Sequence, residues 1–372
     1  MVSPDKTLLL MVDGVFPNLS EIVVKSHFGN YTIRFCSVRN ENEADAFFLV
    51  DKSLEEDVSL PRDKCLFISA TEVNKTLRTV ENVIVHLSSK GMTKGNKLIV
   101  IGGGFLQDIG TIVASLYMRG VSWVYVPTTL AAMADSCMGG KSSINAQGVK
   151  NLVGNFYPPK IILINPNYIL TLPKIEVIAG LSEIIKICFA HSPTNFNECE
   201  RLISEWLVSE NVDVLTEIIS LSLHSKKYFV EIDEFDTGIR RILNFGHSFG
   251  HALEVASSYK IPHGVAVLIG MIAASQHPKS KSSRMTHQLI AWCLFLIKLA
   301  GEDMIDELST VDYVIFSTSL VKDKKNSNAN LKLILPLEFG LEVVEIPFEN
   351  NAIEQATEAL RSAIEMIMNE IR

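Results

Sequence analysis

The sequence predicts two domains of different class: an α/β domain with a mostly parallel sheet over residues 1–175, then an all-helical domain over residues 176–372. Two observations lead to this prediction. Before residue 170, short β-branched runs alternate with helical patterns, as they do where crossover units build a parallel sheet. From about residue 175, apolar residues recur instead with the spacing of amphipathic and buried helices. The segment 170–173, which ends in Pro173, therefore marks the boundary.

Each strand of the first domain is predicted from a short run of β-branched and aromatic residues that turn residues bound. The run at 97–101 leads directly into Gly102, Gly103 and Gly104, and Pro127 closes the next run. In chain order, we predict strands at 32–35, 46–50, 97–101, 123–126 and 161–164.

The second domain is predicted from apolar residues spaced three and four apart. The segment 278–285 is rich in Lys and Ser and should be an exposed loop, and the runs 313–316 and 332–335 should be minor strands. We predict helices at 176–190, 198–208, 213–230, 247–257, 264–275, 286–300 and 352–370.

Composition restricts the protein class. The chain has 372 residues, of which 47% are hydrophobic and 20% charged, as in globular proteins with a sizeable core. Its net charge of −8 argues against a nucleic-acid or anionic-membrane partner, although a local basic pocket remains compatible with it. Six cysteines without a C-x-x-C pair, and no secretory signal, predict reduced thiols in the cytoplasm. The most apolar run, 289–297, is too short to span a bilayer.

Three histidines fall within 17 residues. His247 and His251 are four apart, so they share one face of a helix, and His263 follows twelve residues later. Neutral imidazoles on one face suit a zinc-class ion, and Glu183 is the natural oxygen ligand to join them. The alternatives stay open: a helix cap and a buried histidine, or a simple ion pair between Glu183 and Lys186.

Glycines after the strand at 97–101 suggest a phosphate-binding turn. Three glycines followed by Asp108 and Gly110 would let backbone amides approach a pyrophosphate at a helix N-terminus. The strict dinucleotide fingerprint is absent, so a simple tight turn stays open. The segment 139–142 resembles a P-loop, but Asp135 stands where that motif needs its first glycine, which argues against a P-loop nucleotidase.

Charged and amide side chains are interspersed with glycines between residues 119 and 151. A solvated surface would also explain them, but the flanks are apolar. Near a metal, such donors would suit an anionic, hydroxylated substrate. The residues are Arg119, Asp135, Lys141, Lys150 and Asn151.

Taken together, these motifs resemble those of 3-dehydroquinate synthase, a sugar-phosphate cyclase family. They follow one order over about residues 70–275, with a weaker match at 323–325. The resemblance implies an N-terminal dinucleotide-binding domain, a helical metal-binding domain, an active site in the cleft, and a homodimer. The matching segments are Gly102-Gly103-Gly104, Tyr117-Met118-Arg119-Gly120, Pro127-Thr128-Thr129-Leu130, Gly139-Gly140-Lys141, Lys150-Asn151, Ala179-Gly180-Leu181-Ser182-Glu183-Ile184-Ile185-Lys186, Asn244-Phe245-Gly246-His247-Ser248-Phe249-Gly250-His251 and His263-Gly264.

Site residues follow from the resemblance. It implies Glu183, His247 and His263 as metal ligands, with His251 placed for hydrogen bonding or proton transfer to the substrate phosphate. The other implied residues are Lys141, Asn151, Asn244, Lys324 and the partner-reaching Arg119 for phosphate; Lys226 and Arg240 for the substrate carboxylate; Asp135, Lys141, Lys150 and Lys186 for the NAD and substrate-hydroxyl region; and Asp51, Glu72, Lys75, Gly103, Gly104, Asp108, Thr128 and Thr129 for NAD.

The resemblance also implies the reaction, a step of the shikimate pathway. A phosphorylated heptulosonate becomes 3-dehydroquinate and phosphate through transient oxidation by NAD, phosphate elimination, re-reduction and aldol closure, with zinc or another divalent cation such as cobalt. The chain departs from the family pattern at Val265, Ile175, Ser182 and Asp236, which leaves the exact substrate open. The alternatives are a sugar-phosphate cyclase of secondary metabolism and a metal-dependent polyol dehydrogenase. A non-catalytic binding protein would leave the predicted ligands unexplained.

Overall fold

A computed structural model describes residues 21–35, 45–147, 149–301, 306–322 and 329–371. The chain forms two compact units, Met1–Leu172 with Glu205–Phe235, and Pro173–Ser204 with Asp236–Arg372. The segment 205–235 belongs to the first unit because its helix packs on the turn Ala132–Ser136 and on the first strand. The domain limits 1–175 and 176–372 stay a prediction.

The first unit is built on a seven-stranded sheet. Its order is β1-β2-β9-β6-β5-β3-β4, and every pairing is parallel except that of β1 with β2. Both β3 and β6 are buried along nearly their whole length, as expected for a parallel sheet covered on both faces. The strands are β1 Ile22–Val24, β2 Tyr31–Phe35, β3 Ala46–Asp51, β4 Cys65–Ile68, β5 Lys97–Gly102, β6 Trp123–Pro127 and β9 Ile161–Ile164.

Every predicted strand of this sheet is present. Helix α1, Leu77–Ser89, packs on α2, Gly104–Leu116, and α2 packs on β3, β5 and β6. An antiparallel hairpin that the sequence analysis did not predict, β7 Lys141–Ala146 with β8 Val149–Phe156, packs against α2.

The predicted helical region after residue 173 is confirmed, although its described residues also include an antiparallel hairpin. Its strand β10, Asn330–Leu337, includes the predicted run 332–335 and pairs with β11, Gly340–Pro347. The strand predicted at 313–316 was wrong. There, the Asp312 carboxylate accepts hydrogen bonds from the Val314 and Ile315 amides and caps a helix. The helices are α3 Lys174–His191, α4 Pro193–Ser209, α5 Val212–Ile232, α6 His247–Ala256, α7 His263–Gln276, α8 Arg284–Ala300, α9 Tyr313–Val321 and α10 Ala352–Ile371.

Helix α7 is the centre of the second unit. It packs against α3, α6, α8 and α10, and its residues 264–274 are all buried. Glycines bring it very close to its neighbours. A Cβ atom on Gly270 would lie 2.1 Å from the Gly246 carbonyl oxygen, and one on Gly264 would lie 2.3 Å from Ala179 Cα. Helices α3, α6 and α7 are therefore held backbone against backbone.

Within the described ranges, no helix is long and apolar enough to cross a bilayer.

Candidate metal centre and cofactor-binding residues

Three helices of the second unit bring the predicted metal ligands together. His247 and His263 are the first residues of α6 and α7, and Glu183 lies on the buried face of α3. Glu183 Oε1 is 3.6 Å from His247 Nε2 and 3.5 Å from His263 Nε2. Ligand atoms around a tetrahedral zinc, at bond lengths near 2.1 Å, are about 3.4 Å apart. The spacing and chemistry of these side chains therefore fit a zinc-class ion.

Hydrogen bonds at the other ring nitrogens orient both imidazoles. His247 Nδ1 lies 3.3 Å from the Phe245 carbonyl oxygen, and His263 Nδ1 lies 3.4 Å from Glu254 Oε2. Because both of these partners are acceptors, the neutral form of each imidazole keeps its proton on Nδ1, and a metal that displaces any proton from Nε2 finds a lone pair there. The sequence analysis missed Glu254. Its position one turn after His251 on the same helix was the available signal.

The two oxygens of the Glu183 carboxylate have different partners. Its Oε2 accepts a hydrogen bond from Lys186, while Oε1 faces the histidines. Burial alone would raise the pKa of Glu183, but Lys186 and His263 together hold it well below its usual range. Burial would likewise lower the pKa of His263, but hydrogen bonds to Glu183 and Glu254 raise it to about 9. In the metal-free protein the cluster is thus an ionised carboxylate beside cationic groups.

His251 lies in the same cluster. Its ring centroid is 5.2 Å from that of His247 and 5.6 Å from that of His263. One nitrogen from each of the three rings lies within 4.8 Å of the others. His251 is therefore close enough to a bound ion to act either on it or on its ligands.

In the first unit, the predicted NAD residues lie at the carboxyl ends of adjacent strands. Asp51 ends β3, Gly103 and Gly104 follow β5, and Thr128 and Thr129 follow β6. After β3, the chain adds β4 on one side and then β5, β6 and β9 on the other side. The order of strand addition therefore reverses between β3 and β5. Dinucleotides bind outside such a switch point. Gly103 caps α2, whose N-terminus faces that edge.

The backbone of Gly103 packs closely against Thr129 at this edge. A Cβ atom on Gly103 would lie 3.0 Å from Thr129 Cγ2, and one on Gly104 would meet only Ser136 Oγ, at 3.6 Å. Asp51 also has a local structural role, because its Oδ1 accepts hydrogen bonds from the Ser53 amide and hydroxyl at 3.0 and 2.9 Å. The strand ends, the helix N-terminus and the glycines fit a dinucleotide.

Other predicted residues of the first unit form two groups of contacts. Lys226 on α5 binds Asp135, with its Nζ 2.5 Å from Oδ1 and 2.6 Å from the carbonyl oxygen. Lys75 Nζ lies 2.6 Å from Asp108 Oδ2 and 3.1 Å from Asn151 Oδ1. Nearby, Glu72 Oε1 accepts a hydrogen bond from Asn145 Nδ2. Lys141 and Lys150 lie on the hairpin β7–β8 with Asn151, and Arg119 lies in a short helix, Tyr117–Arg119, with a positive φ.

In the second unit, Arg240 and Asn244 lie on the short helix Ile239–Asn244 that precedes α6. Arg240 is only 3% exposed, and Asn244 Nδ2 donates to the Arg241 carbonyl oxygen at 3.1 Å. Lys324 lies outside the described residues.

Comparison with known proteins identifies the family. The 3-dehydroquinate synthase N-terminal model matches residues 65–179, and the C-terminal model matches residues 180–326. This chain belongs to the 3-dehydroquinate synthase family. The 3-dehydroquinate synthase of Dictyoglomus thermophilum is 33% identical over 333 residues, which cover 89% of this chain and 90% of that protein. That of Alkaliphilus metalliredigens is 36% identical over 267 residues, or 71% and 74% of the two chains.

Two solved structures share the fold of this chain. A 2-deoxy-scyllo-inosose synthase complexed with carbaglucose-6-phosphate, NAD+ and Co2+ has a TM-score of 0.73 at 20% identity, over 92% of this chain and all of that one. The 2-epi-5-epi-valiolone synthase of Streptomyces hygroscopicus, with NAD+ and Zn2+ bound, has a TM-score of 0.73 at 21% identity, over 94% and 99%. The predicted fold class and the family resemblance are confirmed.

Proposed function

We propose that this chain is an NAD- and divalent-metal-dependent cyclase that converts a phosphorylated heptulosonate to 3-dehydroquinate and phosphate. The observation that carries the proposal is the convergence of Glu183, His247 and His263, at zinc-like spacing, in a member of this family. Family relatives catalogued as 3-dehydroquinate synthases support the reaction. Fold neighbours that contain NAD+ with Co2+ or Zn2+ support the cofactors.

Each cofactor would be held by the residues that fit it. Glu183, His247 and His263 would hold the metal, and the strand ends at Asp51, Gly103–Gly104 and Thr128–Thr129 would surround the dinucleotide. The bound dinucleotide would supply reversible hydride transfer, and the bound metal would supply Lewis acidity toward substrate oxygens. Lys186 fixes one oxygen of Glu183, so only the other faces the histidines.

Fixed cations and amides would bind the substrate's charges. Asn151, Asn244 and Lys141, with Lys324 and the partner subunit's copy of Arg119, would hold the phosphate and stabilise the charge that develops as it leaves. Asp135 holds the Lys226 ammonium in place, and Lys226 with buried Arg240 would hold the carboxylate. His251 would exchange a proton with the phosphate. We further propose a cytoplasmic homodimer.

A second candidate is a cyclase for another sugar phosphate, because cyclases of that kind share the fold. The family resemblance assigns Lys226 and Arg240 to a substrate carboxylate, and this assignment favours the carboxylated heptulosonate.

A substrate panel tests the proposal. Purified protein with NAD and Zn2+ is given a phosphorylated heptulosonate, a heptulose phosphate that lacks the carboxylate, or a hexose phosphate, and phosphate release and the carbocyclic product are followed. We expect turnover of the heptulosonate without net NADH. Turnover of only another sugar phosphate would favour the second candidate. Stoichiometric NADH would instead indicate a dehydrogenase.

A further inference from the structure

The side-chain amide of Asn151 is held by two donors on its oxygen. Lys75 Nζ lies 3.1 Å from Oδ1, and the Ser143 hydroxyl donates to the same oxygen at 2.8 Å. An ammonium group can only donate, so the atom that it contacts must be the oxygen and not the nitrogen of the amide. The two contacts therefore fix which way the amide faces, with Nδ2 directed away from Lys75 and Ser143.

The backbone of Asn151 is fixed by the same part of the chain. Its φ of +53° is an uncommon conformation for a residue other than glycine. The Asn145 side chain stabilises it, because Asn145 Oδ1 accepts from the Asn151 amide at 2.9 Å while Asn145 Nδ2 donates to Glu72 Oε1 at 2.7 Å. The turn Glu72–Asn74 and Lys75 thus anchor both the backbone and the side chain of Asn151.

Asp108 aligns the two donors. One of its oxygens lies 2.6 Å from Lys75 Nζ, and the other accepts a hydrogen bond from the Ser143 amide at 3.0 Å. Lys75 and Ser143 consequently share one rigid carboxylate, and Asp108 belongs to α2, at the edge of the sheet described above.

We propose that Ser143 is a positioning residue, which with Lys75 holds the Asn151 amide so that its nitrogen is the donor presented to the substrate phosphate. This inference rests on the proposed function, in which Asn151 binds that phosphate. Ser143 touches neither the phosphate nor the cofactor in this assignment. It acts only through Asn151, because its hydroxyl is committed to Oδ1.

Two isosteric variants test the hydroxyl. Ser143→Thr retains it, whereas Ser143→Val has the same shape without it, and both β-branched residues suit strand β7. Loss of one hydrogen bond to Oδ1 should raise KM for the sugar phosphate about three- to tenfold in Ser143→Val. KM for NAD should change less than twofold, and Ser143→Thr should stay near wild type.

Neighbouring Ser142 provides the matched control. Its hydroxyl bonds Asn155 Oδ1 at 2.6 Å on the same hairpin, so Ser142→Ala disturbs the hairpin without touching Asn151. We expect Ser142→Ala to leave the sugar-phosphate KM near wild type. An equal rise in Ser142→Ala and Ser143→Val would overturn the proposal, because it would indicate a general effect on the hairpin.

A double-mutant cycle separates positioning from direct contact. If Ser143 acts through Asn151, then Ser143→Val should lower kcat/KM in the wild-type background but not in Asn151→Ala. Additive losses would refute the positioning role. If wild-type protein turns over none of the sugar phosphates, the proposed function itself fails. If the wild type is active and the Ser143 variants do not differ, only this inference fails.

Discussion

The buried residue His277 should make the free energy of unfolding depend on pH. This residue directly follows α7, and it is 2% exposed. Its Nδ1 accepts a hydrogen bond from the Lys279 amide at 3.2 Å, so the proton resides on Nε2, which has no hydrogen-bond partner among the described residues. Burial, and secondarily the charge of Lys279, lower the pKa of His277 from 6.5 to about 4.

Protonation of His277 is therefore coupled to unfolding. Between pH 6.5 and about pH 4, the unfolded chain binds a proton at this residue that the folded chain does not, so the free energy of unfolding rises with pH in that window. From pH 7.5 to pH 5, the protein should lose about 2 kcal/mol at this residue alone. Above pH 6.5 the effect disappears, because both states are neutral.

Urea unfolding at pH 7.5 and pH 5 tests this prediction. His277→Asn keeps an acceptor for the Lys279 amide and removes the titration, so its stability should fall by about 2 kcal/mol less than that of the wild type between these pH values. His287→Asn, at an exposed histidine on α8, is the control and should follow the wild type. Identical pH dependence of wild type and His277→Asn would refute the reasoning.

Three further predictions concern the metal and substrate sites. Glu254→Gln should weaken Zn2+ binding about tenfold in a chelator competition above pH 9, where protons compete little at His263. The control Glu354→Gln, at an exposed glutamate, should bind Zn2+ like the wild type. Equal Zn2+ affinities of the two variants would exclude the orienting role of Glu254. Gly270→Ala should lower the free energy of unfolding by about 1–3 kcal/mol and weaken Zn2+ binding, because the added Cβ would clash with the Gly246 carbonyl oxygen. Unchanged Zn2+ binding would contradict this prediction. Arg240→Ala should raise KM for the sugar phosphate about 10–100-fold while KM for NAD stays constant, and equal effects on both would reject the carboxylate role.

Local patterns in the sequence predicted much of the fold. The parallel strands were found because each is a short run rich in β-branched or aromatic residues. The histidine pair was found because a four-residue spacing places two side chains on one helix face. At 313–316 the same β-branched pattern misled, since the capping carboxylate of Asp312 starts a helix there.

Other parts of the site depend on contacts between residues distant in the chain. Glu183 meets histidines more than 60 residues away. It was predicted as their oxygen ligand from its chemistry, and the family resemblance implied the same role, but no spacing rule brings it to them. Glu254 lies one turn after His251, but that spacing does not predict its hydrogen bond to His263. The hydrogen bond from Ser143 to Asn151 was likewise missed, because no spacing rule pairs these two residues. The hairpin β7–β8 was missed because its apolar residues are interrupted by Lys, Ser, Asn and Gly, so the sequence shows no regular apolar alternation.

The glycine contacts of α7 fix the main-chain positions of two of the proposed metal ligands. Gly246 and Gly264 are the sequence neighbours of His247 and His263. The close backbone contacts at these glycines therefore set the Cα positions from which the two imidazoles extend. A designer who wished to change the substrate would therefore have to keep these glycines, because any Cβ atom there would push the helices apart.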